Sequence, residues 1–347
     1  MKAAVYSEFN GPIAVESVDD PTPPPGGIVL EVQATGVCRS DWHGWMGHDH
    51  EIVLPHVPGH EMSGVVVEVG RGVDRSFMGQ RVTVPFVLGC GSCAMCLQGD
   101  HQVCERQYQP GFTGWGSFAR YVALPYAAVN VVRLPDEVSF ATAAGLGCRF
   151  ATAFRAVMDQ GRVGPGTQVA VWGVGGVGLS ATMIARALGA SVVAVDINPD
   201  ALALARSSGA SDTVLVSDDI DPVAAVRELT NGGPDVSLDT LGSTRTAVQS
   251  MMSLRRKGRH VQVGLMVGDD VEPVIPMWRL HSYEIELYGS HGMQATRYPR
   301  MLEMIADGRL DPASLVTRTF DLQAGVEYLM SMDTFPGTGF AVITDFS

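Results

Sequence analysis

The sequence predicts an α/β protein in which a doubly wound parallel-sheet domain is inserted into a second, β-rich domain. Three observations predict it. Short β-type runs cut by Gly and Pro fill the first 145 residues, strict strand–helix alternation follows, and a last β-type run, FAVITDF, closes the chain. At 347 residues the chain is long enough for about two domains, each with its own core.

The elements follow in order. AAVYS, IVLEVQATGV, SGVVVEVG and QRVTVPFV read as strands, punctuated by PTPPPGG, PGHE, GCGSC and QPGFTGWG. PTPPPGG is a rigid loop within this domain. AAGLGCRFATAFRAVMDQG reads as one Ala-rich helix. TQVAVWGV is then a buried strand, GGVGLSATMIARALGA a helix, SVVAVDI a strand, ALALARSSGA a helix and TVLVS a strand. VAAVRELTNGG is a helix, and VSLDTLG, RHVQVGLM and EIELYGS are strands. Strands alternating with helices imply a parallel sheet with right-handed crossovers. From residue 291 the tail holds one helix, RYPRMLEMIADGRL, and the final strand, and it returns to the first domain. The expected domains are thus 1–148 with 291–347, and 149–290.

Composition excludes several functions. The chain is 46% hydrophobic and 18% charged, and 24 Lys plus Arg against 37 Asp plus Glu give a net charge of −13. With no Lys/Arg block it is a poor ligand for nucleic acid or an anionic membrane. The start, MKAAVYSEFN, has no apolar run of the secretory kind, and no apolar stretch reaches membrane-spanning length. The cytoplasm is the expected location, where six cysteines stay reduced. Four of them crowd between positions 90 and 104, which favours metal binding over disulfides.

Gly173-Val174-Gly175-Gly176-Val177-Gly178 follows the strand QVAVW and opens a helix, the context that makes G-x-G-x-x-G informative. Gly173 permits a tight turn, Gly175 lets a pyrophosphate approach the backbone, and Gly178 lets helix and strand pack closely. The helix N-terminus, beginning at Gly176 and Val177, offers N–H groups and a positive dipole end to phosphates. Asp196 ends the next strand. Its carboxylate suits ribose hydroxyls and repels a 2′-phosphate, and Ile197, Asn198 and Pro199 add no cation. NAD is therefore expected over NADP.

Cys90, Cys93, Cys96 and Cys104 have the pattern C-x2-C-x2-C-x7-C. Four thiolates at this spacing close a tetrahedral zinc shell within one loop, a structural site with no open position. A disulfide pair or an iron–sulfur cluster are the competing readings. Reducing conditions oppose the first, and the Gly-rich polar loop with no redox partner opposes the second. Cys38 in GVCRSDWHG and Cys148 in GLGCRF remain, with His60 in PGHEMSGVVVEVG. Cys, His and Cys make a three-ligand zinc site that leaves a fourth position for water or substrate. Inert buried thiols and a hydrogen-bonded histidine are the alternative.

Taken together, G-V-C-R-S-D-W-H (36–43), G-H-E-x2-G-x5-G-x2-V (59–73), the four-cysteine loop, G-L-G-C (145–148) and the glycine turn with Asp196 carry a resemblance. The sequence resembles the zinc-dependent alcohol dehydrogenases of the medium-chain dehydrogenase/reductase family over essentially its whole length. The resemblance implies a GroES-like β-barrel catalytic domain built from both ends of the chain, with a Rossmann domain between. It implies Cys38, His60 and Cys148 as ligands of a catalytic zinc, with a second, structural zinc in each subunit. Asp41 would hydrogen-bond the ligand histidine and fix its tautomer. Glu61 would sit near the metal and bind it transiently. Ser40 would take the proton of the alcohol and, by way of the cofactor ribose, His43 would deliver it to solvent, a step suited to an ordinary imidazole value of about 6.5. Arg39 would contact the cofactor pyrophosphate. Thr338-Gly339-Phe340 departs from relatives that carry a base before the last strand, so weaker cofactor binding is expected.

Phe86 matches a pocket-lining position in relatives, and Trp42, Trp45 and Trp115 join it as pocket candidates by proximity to the motifs. His48, Asp49 and His50 form either an exposed loop or a determinant for polar substrates. The implied substrates are primary and secondary alcohols, oxidised reversibly to aldehydes and ketones. A polyol or sugar dehydrogenase of the same family is the alternative, opposed by Cys148 where such enzymes often carry Glu. A non-catalytic nucleotide-binding redox regulator is the alternative from another class. A homotetramer, or else a homodimer, is implied, with RHVQVGLM and EIELYGS offered for pairing across subunits.

Overall fold

The computed structural model describes residues 1–334 and 336–347. It divides into two compact units: Met1–Ala151, Gly292–Gly308 and Pro312–Ser347 form the first, and Thr152–His291 with Arg309–Asp311 form the second. Arg309–Asp311 belong to the second unit, although the sequence reading assigned them to the first. A three-residue run has no period from which its domain could be read.

The first unit is organised on the strand Ile28–Val37, buried along most of its length. One edge pairs antiparallel with Glu61–Val69. The other edge serves two partners: Ile28–Glu31 pair with Tyr121–Leu124, and Thr35–Val37 with the C-terminal strand Phe340–Asp345. The last strand therefore lies in the sheet of the first unit. Its core gathers Tyr6, Leu30, Met62, Leu88, Phe118 and Ile343.

The tail holds more than the sequence suggested. The strand Val316–Asp321 runs parallel to Phe340–Asp345, and the helix Leu322–Met330 is capped by Asp321, which accepts from Ala324 N at 2.8 Å. The strand is mostly exposed and shows no apolar alternation. QRVTVPFV is strand only over Arg81–Thr83. The single helix expected across residue 148 is interrupted: Phe140–Ala144 and Arg149–Arg155 are helical, a π-helical turn Ala156–Gln160 follows, and a turn occupies 145–148. Gly145 ends the first helix where there is no room for a side chain, since a Cβ there would come within 2.5 Å of the Phe340 ring. Tyr298 Oη donates to the Leu146 carbonyl at 3.0 Å and holds the turn.

In the second unit six parallel strands lie in the order Asp212–Leu215, Ser191–Asp196, Gln168–Trp172, Val236–Asp239, Arg259–Gln262, Glu286–Gly289. This is the 3-2-1-4-5-6 order of a doubly wound dinucleotide-binding sheet. Polar N-caps start the helices: Asn198 before Pro199–Ser207, Asp221 before Pro222–Leu229, and Ser243 before Thr244–Ser253. Arg259–Gln262 has a neighbour on each side, so it has no open edge for a second subunit. That corrects the pairing offered for RHVQVGLM and leaves Glu286–Gly289. Among the described residues no helix is long and apolar enough to cross a membrane.

Candidate active site

The strand Ile28–Val37 ends at the site, and Cys38 is the N-cap of the helix Arg39–Trp45 that follows. Asp41, at the third helical position, is buried. Its Oδ2 accepts from Cys38 N at 3.1 Å, and its Oδ1 accepts from Gly59 N at 3.0 Å and from His60 Nδ1 at 2.7 Å. One carboxylate thus fixes two chain segments and the ring that must face inward. Cys148 arrives from the turn that interrupts the expected helix. Ligand atoms of Cys38, His60, Glu61 and Cys148 all lie within 4.8 Å of one another.

The donor set fits a zinc ion. His60 Nε2 is buried and has no hydrogen-bond partner among the described residues, while Nδ1 is committed to Asp41. That leaves an imidazole lone pair directed at two sulfurs, the arrangement a metal satisfies. The Cys148 thiol holds Cys38 well below the usual cysteine range against the opposing effect of burial, so a thiolate forms readily. A proton competes with a metal for that lone pair, since against the opposing effect of burial Asp41 raises His60.

Glu61 is among the four groups, yet it is already engaged. Its Oε1 accepts from Arg149 N at 3.0 Å and Nε at 2.9 Å, and its Oε2 accepts from Nε at 3.0 Å and from Nη2. Arg149 is buried, follows Cys148 directly, and lies 4.2 Å over the Phe340 ring. Any transient bond from Glu61 to a metal competes with this clamp. The sequence reading passed over Arg149, because a buried ion pair between residues 88 positions apart leaves no periodic signal.

The helix Arg39–Trp45 carries the remaining predicted side chains. Ser40 is half-buried in its first turn. Arg39 Nη1 donates to the Met332 carbonyl at 2.5 Å, and the guanidinium lies 4.6 Å over the Trp42 ring. His43 is half-buried, and its Nδ1 lies 3.0 Å from Nδ1 of the exposed His48. Burial, with Arg39 and His48 adding to it, lowers His43 to about 4. The expectation of an ordinary imidazole value is corrected: the ring is neutral at neutral pH and sheds an extra proton readily.

The aromatic candidates separate. Phe86 meets His60 edge-on at 6.0 Å between ring centroids. Phe112, missed in the sequence, lies closer at 5.2 Å. Trp42 is half-buried against the core, and its ring stands nearly perpendicular to those of His43 and His48. Two assignments are corrected. Trp45 is core: it is buried and its indole N–H donates to the Gly11 carbonyl at 2.8 Å. Trp115 donates to the Pro55 carbonyl at 3.0 Å and lines a separate recess of about 80 Å³ with Met1, Tyr108 and Tyr121, which includes no metal-site residue. Nearness in sequence to a motif does not fix where a ring points. His48 and His50 are exposed, as on a surface loop.

The four-cysteine loop is a second donor set. All four sulfurs lie within 4.8 Å of one another. Tetrahedral bonds of about 2.3 Å require sulfur–sulfur separations of about 3.8 Å, and Cys93 and Cys104 already stand 3.6 Å apart. A four-iron cube would hold its cysteines farther apart, so a single ion fits better. Backbone N–H groups steady the sulfurs: Cys90 N and Arg106 N each donate to Cys104 at 3.3 Å, and Cys96 N donates to Cys93 at 3.5 Å. Burial resists ionisation of Cys90, but Ser92 and Cys93 N–H groups bring it down to about 5.

In the second unit the glycine turn joins Gln168–Trp172 to the helix Gly176–Ala187, whose N-cap is Gly175. Gly173 has φ +84°, which favours glycine. A Cβ on Gly178 would collide with the Gly173 carbonyl, whereas one on Gly175 would meet nothing within 4 Å among the described residues. The turn is thus tight within and open at the exposed Gly175, with Gly176 and Val177 half-buried behind it, the cradle a pyrophosphate needs. Asp196 accepts from Val174 N at 2.7 Å and Asn198 N at 2.9 Å, and each oxygen keeps a lone pair for a ribose hydroxyl. Thr240, unnoticed in the sequence, donates to the Trp172 and Gly173 carbonyls and pins the turn.

Two family models match the chain: the alcohol dehydrogenase GroES-like domain over residues 24–136 and the zinc-binding dehydrogenase over residues 176–307. An alcohol dehydrogenase of Geobacillus stearothermophilus is 35% identical over 313 residues, covering 89% of this chain and 90% of that protein. The chain belongs to the zinc-type alcohol dehydrogenases. This dehydrogenase is also similar to an NAD-dependent alcohol dehydrogenase of Sulfurisphaera tokodaii, with 30% identity and 99% of each chain covered. Among solved structures, a cobalt- and zinc-bound thermostable alcohol dehydrogenase of Pyrobaculum aerophilum matches with TM-score 0.85 and 27% identity over 99% of each chain. The chain is an oxidoreductase acting on CH–OH groups, with its GroES-like and Rossmann-type parts as described.

Proposed function

We propose that the dehydrogenase oxidises primary and secondary alcohols reversibly to aldehydes and ketones, with NAD, at a zinc held by Cys38, His60 and Cys148. The observation that carries this reading is the buried His60 Nε2, unpartnered among the described residues and converging with two sulfurs. Zinc supplies the acidity of the alcohol and NAD the acceptor for its hydride. The chain supplies the rest. Asp41 keeps the His60 proton on Nδ1. Arg149 holds Glu61 so that its charge stays beside the ligands without occupying the open position. Ser40 Oγ receives the alcohol proton and His43 carries it outward. Gly173 to Gly178 receive the pyrophosphate, and Asp196 selects against a 2′-phosphate. Cys90, Cys93, Cys96 and Cys104 hold the second zinc.

Phe86 and Phe112 beside His60 support an apolar pocket. NADH absorbance across short primary, secondary, aromatic and polyol alcohols tests this. Apolar alcohols should turn over fastest, and a clear preference for polyols would overturn the assignment.

The assembly proposed is a homotetramer, with a homodimer as its smaller alternative. Glu286–Gly289 lies at an edge of the parallel sheet, and Val271, Val274, Met277, Trp278 and Leu287 in this part of the chain are exposed. A cytoplasmic location suits six cysteines gathered as free thiols at two metal-binding clusters.

A further inference from the structure

We infer that His48 is the outer member of the proton path, accepting the proton that His43 carries and releasing it to water. This rests on the relay reading of Ser40 and His43 and extends it by one residue. The geometry supports it in three ways. His43 Nδ1 and His48 Nδ1 are 3.0 Å apart, a hydrogen bond between two rings that each take and give protons. With Nδ1 of His43 so engaged, Nε2 is the nitrogen left to take an incoming proton. Trp42 sets both rings, meeting His43 at 5.0 Å and 73° and His48 at 5.9 Å and 76°, and is itself covered by Arg39.

The transfer balances without a co-reactant. A proton binds His43 Nε2 and makes an imidazolium. The Nδ1 proton passes to His48 Nδ1, and His48 releases its Nε2 proton to water. His43 is left neutral with its proton on Nε2, and reversal of both tautomers resets the pair. Burial most of all, with Arg39 and His48 adding to it, disfavours charge on His43 against the opposing effect of Cys38, so the proton is passed on and not held. His48 is exposed to water, and Asp49 beside it caps the turn through Glu51 N at 2.9 Å. The His48-Asp49-His50 loop, unexplained by the substrate pocket, thereby gains a role for its first member.

The test compares His48→Gln with His43→Gln in the zinc-loaded enzyme. Single-turnover NADH formation and proton release, the latter read by a pH indicator in weak buffer, are followed together. His48→Gln should slow both by about tenfold, less than the 10²–10⁴ of a complete general acid–base catalyst because water offers a slower exit. Added imidazole should restore the rate, and zinc content, NAD affinity and Tm should not change. Histidine ¹⁵N resonances should show the His43 Nδ1 signal moving in His48→Gln. Wild-type rates in His48→Gln with slow His43→Gln would overturn the extension and leave the relay standing. Wild-type rates in both would remove the relay itself. Slow turnover that imidazole does not restore, with altered zinc content or Tm, would assign His48 a structural role and overturn the inference.

Discussion

Asp41→Asn is the most informative change at the metal site, because one buried carboxylate accepts three N–H groups. The amide keeps one acceptor and replaces the other by an NH₂ donor, so either orientation fails. With oxygen toward Gly59 and His60, NH₂ faces Cys38 N–H, donor against donor. In the flipped orientation NH₂ donates to His60 Nδ1, which moves the ring proton to Nε2 and removes the lone pair the zinc needs. A buried donor left unmet costs about 1–3 kcal/mol. Loss of an outer partner to a metal ligand costs about 10–100-fold in affinity, or about 1.4–2.8 kcal/mol. Zinc release by a graded chelator, counted per chain, checks this. The catalytic zinc should leave at least about tenfold more readily, the four-cysteine zinc should be unaffected, and turnover should fall with the first. Unchanged release and turnover would refute the tautomer role of Asp41.

Three further expectations follow from separate parts of the molecule. Cys90→Ser should leave one zinc per chain and lower Tm while the remaining folded enzyme still turns over; retention of two zincs would count against the four-sulfur site. Asp196→Asn should weaken NAD by about tenfold and raise NADP relative to it; an unmoved ratio in binding titrations would remove the ribose contact. His260 is buried between Ser250 Oγ at 2.9 Å and Gln262 Oε1 at 3.2 Å, and burial lowers it from 6.5 to about 4. The unfolded chain therefore binds this proton first, so stability held above pH 6.5 is lost as pH falls through 4, by roughly 3 kcal/mol. Tm against pH should fall less steeply in His260→Gln than in the wild type, and identical slopes would assign the acid loss elsewhere.

Local chemistry explains what could be read from the sequence. Gly173, Gly175 and Gly178 are constrained by a turn, a ligand approach and a helix–strand contact within six residues, so their spacing carries the fold. The cysteines of the 90–104 loop likewise need only a short chain to converge. The interruption of the helix at 145–148 was not legible, because the contact that holds the turn, Tyr298 Oη to the Leu146 carbonyl, spans 152 positions. Arg149 with Glu61 was hidden for a similar reason, since the pair meets through tertiary placement across 88 positions, whereas His43 and His48 meet locally, where the turn after the helix Arg39–Trp45 brings His48 N to the His43 carbonyl at 3.0 Å. Trp45 and Trp115 show the converse, since adjacence to a motif does not decide which way an indole points. His43 looked like an ordinary histidine until its burial beside Arg39 was visible.

The proposed function requires zinc on Cys38, His60 and Cys148 for alcohol oxidation and a separate ion in the four-cysteine loop. Metal content and NADH formation in Cys148→Ser, beside the wild type, address it most directly. The wild type should contain two zincs per chain and form NADH from a short alcohol in a chelator-sensitive manner. Cys148→Ser should keep one zinc, bind NAD, and form no NADH. NADH formation by Cys148→Ser at the wild-type rate would contradict the account.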